Sequence, residues 1–224
     1  MAEPGAPSGA AARFALVIFD FDGTLADSWP WAVGAINDAA DRFGFRRADG
    51  CELEALRGLP TREILRRLQV PLVRVPRIAA YLRQRAVDDA ASIPRFVGVD
   101  VLLPALAARG IKLAVASSNA EATVRQVLGP ALCANLALLS CGASLFGKDA
   151  RLRQILRRLR VPAAQAILIG DEVRDIEAAR AVGIACGAVL WGYATPALLR
   201  SARPDVVFSS VDEIAPALIR SAVS

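Results

Sequence analysis

The sequence contains no histidine, and that absence excludes more chemistry than any other feature of its composition. Zinc centres built on imidazole, Ser-His-Asp triads and Cys-His nucleophiles all depend on it. Catalysis by this chain has to run through carboxylates, hydroxyls or lysine. Lysine is nearly missing too: Lys112 and Lys148 stand against 25 arginines among the 27 basic residues. The four cysteines, Cys51, Cys133, Cys141 and Cys186, show no C-x-x-C spacing. Each falls in a segment that reads as helix or buried strand, which predicts small apolar core residues.

Long hydrophobic runs are also missing. A strongly apolar run such as Phe14–Phe19 is far short of the roughly 20 residues that span a bilayer, so no membrane partner is expected. Aromatics are scarce, at 6%, and the net charge of +5 comes from arginines interleaved with leucines, as in Arg151, Arg153, Arg157, Arg158 and Arg160. A nucleic-acid surface sets aromatics among its cations for stacking, so this run reads as a solvated helix face and no nucleic-acid partner is expected. Residues 1–12 are rich in Ala, Gly and Pro, with neither a basic start nor a long apolar stretch. They read as a disordered tail and not as a secretory signal, and a reducing cytoplasm is the expected location.

What is present is a chain of 224 residues, 54% hydrophobic and 22% charged, enough for one large domain or a core with an insert. Short apolar runs alternate with amphipathic helical patterns. Strands are predicted at Phe14–Phe19, Ile111–Ala116, Leu136–Leu139, Ile167–Ile169, Ile184–Leu190 and Val206–Phe208. Helices lie between them, best seen over Arg151–Arg160, where Leu152, Ile155, Leu156 and Leu159 recur at helical spacing. This rhythm predicts an α/β fold, a doubly wound parallel sheet with crossover helices. From Ser28 to Ile93 it breaks: no strand is legible, only helical spacing such as Ile64, Leu65 and Leu68, then Ile78, Leu82 and Ala86. Residues 28–93 therefore read as a helical insert in a core made of 13–27 and 94–224. The insert enters after the first strand, at the carboxyl end where open α/β sheets bind ligands, and there it can act as a lid.

The chemistry gathers at three strand ends. Asp20 and Asp22 follow the first strand two residues apart, so both carboxylates can face one small volume. Two such charges are costly without a cation or a shared proton, and hard oxygen donors of this kind suit Mg²⁺. Gly23 lets the chain turn and brings backbone N–H groups to an incoming anion, whereas Asp27 or Ser28 could serve only to cap the next helix. After Ile167–Ile169 come Asp171 and Asp175, which share a face if a helix starts there. Ser117, Ser118 and Asn119 end a third strand as neutral donors for phosphate oxygens, although Ser and Asn are equally ordinary helix caps. Lys148, in a chain that otherwise uses arginine, suggests a task for a compact ammonium.

Together these pieces resemble the haloacid dehalogenase superfamily, and within it the helical-cap phosphatases of the phosphoglycolate phosphatase group. The likeness covers nearly the whole chain after the tail. It rests on D-x-D-G-T at Asp20–Thr24 with Asp27 and Ser28, on Ser117, on Lys148, and on G-D-x-x-x-D ending at Asp175. The resemblance implies a Rossmann-like core with an inserted α-helical cap and hydrolysis of a small phosphorylated metabolite with Mg²⁺ as cofactor. Asp20 would be the nucleophile that becomes an aspartyl-phosphate, and Asp22 the acid and base. Asp20, Asp171 and the Asp22 carbonyl would hold the metal, with Asp175 supporting it. Ser117 and Lys148 would hold the phosphoryl oxygens, with Gly23, Ser118 and Asn119 beside them. The segment Arg57–Arg62 resembles the loop a cap presents to substrate, and Arg62 is the candidate to pair with a substrate carboxylate or second phosphate.

Other readings fit less of the sequence. Gly142–Lys148 opens like a nucleotide-binding P-loop, but Asp149 stands where that motif needs Ser or Thr for Mg²⁺. A dehalogenase of the same superfamily would have no need of an acid at Asp22. A phosphomutase would share every core residue, and a non-catalytic binding protein on this fold would be expected to have lost one of Asp20, Asp22, Lys148 or Asp171. The physiological substrate and the oligomeric state are not encoded in these motifs.

Overall fold

The computed structural model describes residues 12–219 apart from 58, 60 and 143–146. The expected tail, save Ala12, lies outside the described residues, as do Gly58 and Pro60 of the insert loop and part of the P-loop-like segment. Among the described residues β1 (Leu16–Phe19), β2 (Lys112–Ala116), β3 (Leu138–Ser140), β4 (Ala166–Gly170), β5 (Ala185–Val189) and β6 (Val206–Phe208) form one sheet. Its order is β3-β2-β1-β4-β5-β6, and every pairing is parallel. Reversal of direction at β1 puts the topological switch point, the usual ligand crevice, at the end of that strand.

Period-two alternation divides the core into two layers. Val17 and Phe19 face one layer with α5 (Val99–Ala107), α6 (Glu121–Cys133) and α10 (Ile214–Ile219). Leu16 and Ile18 face the other with α7 (Lys148–Leu159), α8 (Val173–Val182) and α9 (Pro196–Ser201). All four β1 residues are fully buried, as a strand covered on both faces must be, which is why it reads as one unbroken apolar run.

Between β1 and α5 lie α1 (Trp29–Phe43), α2 (Gly50–Leu56), α3 (Thr61–Arg67) and α4 (Val75–Asp88). They bury an apolar cluster of their own, including Ala39, Leu53, Leu56, Leu68 and Ile78. The chain leaves and re-enters the sheet along two adjacent segments: Ala26 bridges Arg95, and the Asp27 N–H donates to the Pro94 carbonyl at 2.8 Å.

Three expectations need adjusting. The strand at Leu136–Leu139 begins two residues later, at Leu138, because the Leu136 N–H still bonds back to the Cys133 carbonyl at 3.1 Å and completes the turn out of α6. The helix at Arg151–Arg160 starts earlier, at Lys148, capped by Gly147 in the left-handed region at φ +118°. The cysteines are not uniformly core residues: Cys186 on β5 is buried, Cys133 and Cys141 are half-buried, and Cys51 on the first turn of α2 is exposed.

Candidate active site

Sheet register assembles the site. Phe19 pairs with Val115 on one side and Ile169 on the other, so Asp20, Ser117 and Asp171 leave three adjacent strands almost level. Asp20 is only 5% exposed. Its Oδ1 accepts the Phe21 N–H at 2.8 Å, and its Oδ2 meets Lys148 Nζ at 2.8 Å. Lys148 reaches this place because it opens α7, and it also pairs closely with Asp175 Oδ1. The other oxygen of Asp175 accepts the Glu172 N–H at 3.0 Å in the capping box that starts α8. Capping accounts for that bond, but not for the contact with Lys148.

Asp171 sits one residue before the cap and is fully buried. Its Oδ1 accepts the Thr24 hydroxyl at 3.0 Å, and its Oδ2 accepts the Tyr193 N–H at 2.7 Å. A Cβ on Gly23 would overlap Asp171 Oδ2, and Gly23 holds φ +72°, so the approach of these two loops requires glycine. Oxygens of Asp20, Asp171 and Asp175 lie within 4.8 Å of one another.

Such crowding has electrostatic consequences. Burial, then the neighbouring carboxylates, raise Asp171 well above the ordinary carboxylate range. Asp175 is raised by burial against the opposing pull of Lys148. Burial alone would lower the Lys148 ammonium, but Asp175 and Asp20 reverse that and hold it above its usual value. Lys148 pairs with two of these buried carboxylates and Arg174 is a second cation near them, so Asp20, Asp171, Asp175 and Glu172 outnumber the positive charges. Hard oxygen donors this close fit a metal cation.

Asp22 stands apart from that cluster. Its Oδ1 accepts the Ser28 hydroxyl at 2.8 Å, and the Asn119 amide lies 3.4 and 3.5 Å from its two oxygens. Desolvation, then the charge of Asp20, push its carboxyl up to about 6, against the hydrogen bond from Ser28. A carboxyl tuned this way can hold a proton and release it near neutrality. Ser28 is the residue before α1, yet its side chain makes no capping bond and serves Asp22 instead.

Ser117 is buried at the end of β2, with its Oγ accepting the Asn119 N–H at 3.0 Å, which leaves the hydroxyl proton available to a ligand. A cavity is lined by Asp20, Ala116, Ser117, Ser118, Lys148, Arg151 and Arg174. Asn119, expected beside a phosphate, directs its amide to Asp22 instead. The two arginines escaped the sequence reading. Arg151 is not merely part of a solvated face: it donates to the Ser140 carbonyl at 2.8 Å and closely to those of Ser117 and Gly142. Its spacing of three from Lys148 on one helix is the signal that could have found it. Arg174 pairs with Glu172, and its buried Nε has no hydrogen bond among the described residues. Glu172 is itself pushed up to about 7, by burial before any charge.

In the insert, Arg62 lies exposed on α3. The arginine that reaches the core is Arg57, whose Nη2 donates to the Gly192 carbonyl at 2.7 Å while its guanidinium lies 5.2 Å from the Trp29 ring centre.

The sequence and the fold are similar to those of known proteins. The sequence model of the haloacid dehalogenase-like hydrolases matches residues 17–189. A phosphoglycolate phosphatase of Synechococcus elongatus is 32% identical over 203 residues, 90% of this chain and 96% of that protein. The protein named tyrosine-protein kinase PtkA, of Mycobacterium tuberculosis, is 31% identical over 209 residues, 91% of this chain and 72% of that one. A solved haloacid dehalogenase-like hydrolase of Streptococcus pneumoniae superposes with a TM-score of 0.79 at 20% identity, covering 92% of this chain and 98% of its own. With a matching family model over most of the chain and a phosphatase relative 32% identical over 90% of it, the chain belongs to the haloacid dehalogenase-like hydrolases, on their phosphoric monoester hydrolase side.

Proposed function

We propose that the protein is a Mg²⁺-dependent phosphatase that hydrolyses phosphoglycolate or a similarly small phosphomonoester through an aspartyl-phosphate on Asp20, beneath a cap formed by residues 28–93. The observation that carries this reading is the buried constellation of Asp20, Asp171 and Asp175 with one ammonium, Lys148, on Asp20 Oδ2. The choice of substrate is supported by the phosphoglycolate phosphatase among the relatives.

In the first half-reaction an Asp20 carboxylate oxygen attacks phosphorus and the ester P–O bond breaks. The departing oxygen takes the proton carried by Asp22, whose raised pKa keeps that proton available near neutrality. In the second, Asp22, now a carboxylate, takes a proton from water as the water oxygen attacks phosphorus. The bond between phosphorus and Asp20 breaks, and inorganic phosphate leaves with both carboxyl groups restored. Asp20 and Asp171 would hold Mg²⁺, with Asp175 behind them, and the ion supplies charge neutralisation for the phosphoryl group when bound. Ser117 and Lys148 orient the phosphoryl oxygens in the cavity, and Arg174 contributes a further positive charge.

A phosphate-release screen over a few dozen phosphorylated metabolites, with Mg²⁺ and with excess EDTA, tests this. Release of phosphate to water, abolished by EDTA, is expected. Transfer to a second hydroxyl without release would instead mark a phosphotransferase or mutase, and full activity in EDTA would overturn the metal assignment.

A further inference from the structure

Tyr193 lies in the loop after β5, and it touches three parts of the site. Its hydroxyl is 2.8 Å from Ser28 Oγ, and Ser28 in turn donates to Asp22 Oδ1 at 2.8 Å. Serine has one proton to give, so within this chain of bonds the tyrosine O–H is the donor to Ser28. The Tyr193 N–H donates to Asp171 Oδ2 at 2.7 Å. Its ring meets that of Trp29, the first residue of α1, edge to face with centroids 5.1 Å apart. The preceding Gly192 accepts the Arg57 guanidinium from the insert, and a Cβ there would overlap Asp171.

We propose that Tyr193 is a positioning residue for phosphoryl transfer, fixing the Asp22 and Asp171 carboxylates against the first turn of the helical insert. This rests on the phosphatase reading above. The bonds from Tyr193 through Ser28 occupy Asp22 Oδ1 as an acceptor, so a proton on Asp22 is assigned to Oδ2, the oxygen 3.4 Å from the Asn119 amide. Orientation of that proton matters when the leaving oxygen is a poor one. It matters little for nitrophenolate, which departs without protonation.

The test compares kcat on an alkyl phosphomonoester, 2-phosphoglycolate or the best alkyl ester from the screen, with kcat on p-nitrophenyl phosphate. Tyr193→Phe keeps the ring and the backbone N–H and removes only the hydroxyl. It should lower kcat on the alkyl ester by roughly three- to tenfold, the loss of one neutral hydrogen bond, with a clearly smaller fall on the nitrophenyl ester. Ser28→Ala should show the same selectivity, and the double variant should be no worse than Ser28→Ala alone. Equal losses on both esters, additive losses, or no change in either would overturn the proposal. So would a Tyr193→Phe protein that melts early while keeping the wild-type ratio of the two kcat values, or one that fails to fold, since both assign the hydroxyl to structure. Absence of phosphate release from the wild-type protein would bring down the phosphatase reading itself, and the positioning role with it.

Discussion

Asp20 and Asp22 are two residues apart and share one strand end, but their surroundings separate their roles. Asp20 meets an ammonium, whereas Asp22 meets a hydroxyl and an amide and is raised to about 6. Asp20→Asn is expected to abolish turnover, and the fluoride adduct of beryllium, a phosphoryl mimic, should fail to bind it; equal binding would remove Asp20 as nucleophile. Burial also links these groups to stability. A carboxyl whose folded pKa lies above its unfolded value holds its proton more tightly in the native state, so its contribution is complete at low pH and lost as pH rises. Asp22 moves from 3.8 to about 6, Glu172 from 4.5 to about 7, and Asp171 and Asp175 move in the same direction. Protein kept in EDTA should therefore lose stability between about pH 4 and pH 7, by at most about 3 kcal/mol for Asp22 alone. Denaturant titrations across that range check the sign, and a midpoint that rises with pH would contradict it.

At the scale of elements, parallel register converts three separated sequence motifs into one site. The apolar runs of β1, β2 and β4 were legible because buried parallel strands show no polar alternation, and the polar residues after them, acidic after β1 and β4, marked the end of the sheet where the candidate site lies. Arg151 and Tyr193 were not legible in the same way. An arginine in a leucine-rich helix looks like any solvated cation, and its partners are backbone carbonyls of Ser117, Ser140 and Gly142, which leave no trace in side-chain patterns. Loop contact is equally specific at Gly23. Gly23→Ala should cost about 1 to 3 kcal/mol, through its positive φ and overlap with Asp171, and thermal melting would reveal it; an unchanged melting temperature would mean that the two loops can part. In the insert, Arg62→Ala should lower efficiency on an anionic metabolite by roughly ten- to a hundredfold and spare p-nitrophenyl phosphate, the signature of one lost charged hydrogen bond. Equal loss on both substrates would move the substrate-reading role to another residue of the insert.

Across the whole molecule, a two-layered core underlies the strand ends, and α1 to α4 form a unit around an apolar cluster of their own. Arg57 on Gly192 and Trp29 on Tyr193 join that unit to the core at the loop that also holds Asp171. In the proposed reaction carboxylates serve as both nucleophile and acid, in a chain without histidine, and the covalent intermediate on Asp20 is its central step. Asp22→Asn removes the base that releases such an intermediate and leaves Asp20 able to attack a substrate with a good leaving group. The most direct measurement is to incubate that variant with Mg²⁺ and phosphorus-labelled p-nitrophenyl phosphate, quench in acid and map the labelled peptide. The label is predicted on Asp20, and it should be absent from the Asp20→Asn, Asp22→Asn double variant. Label on another residue, or equal label in the double variant, would contradict the account.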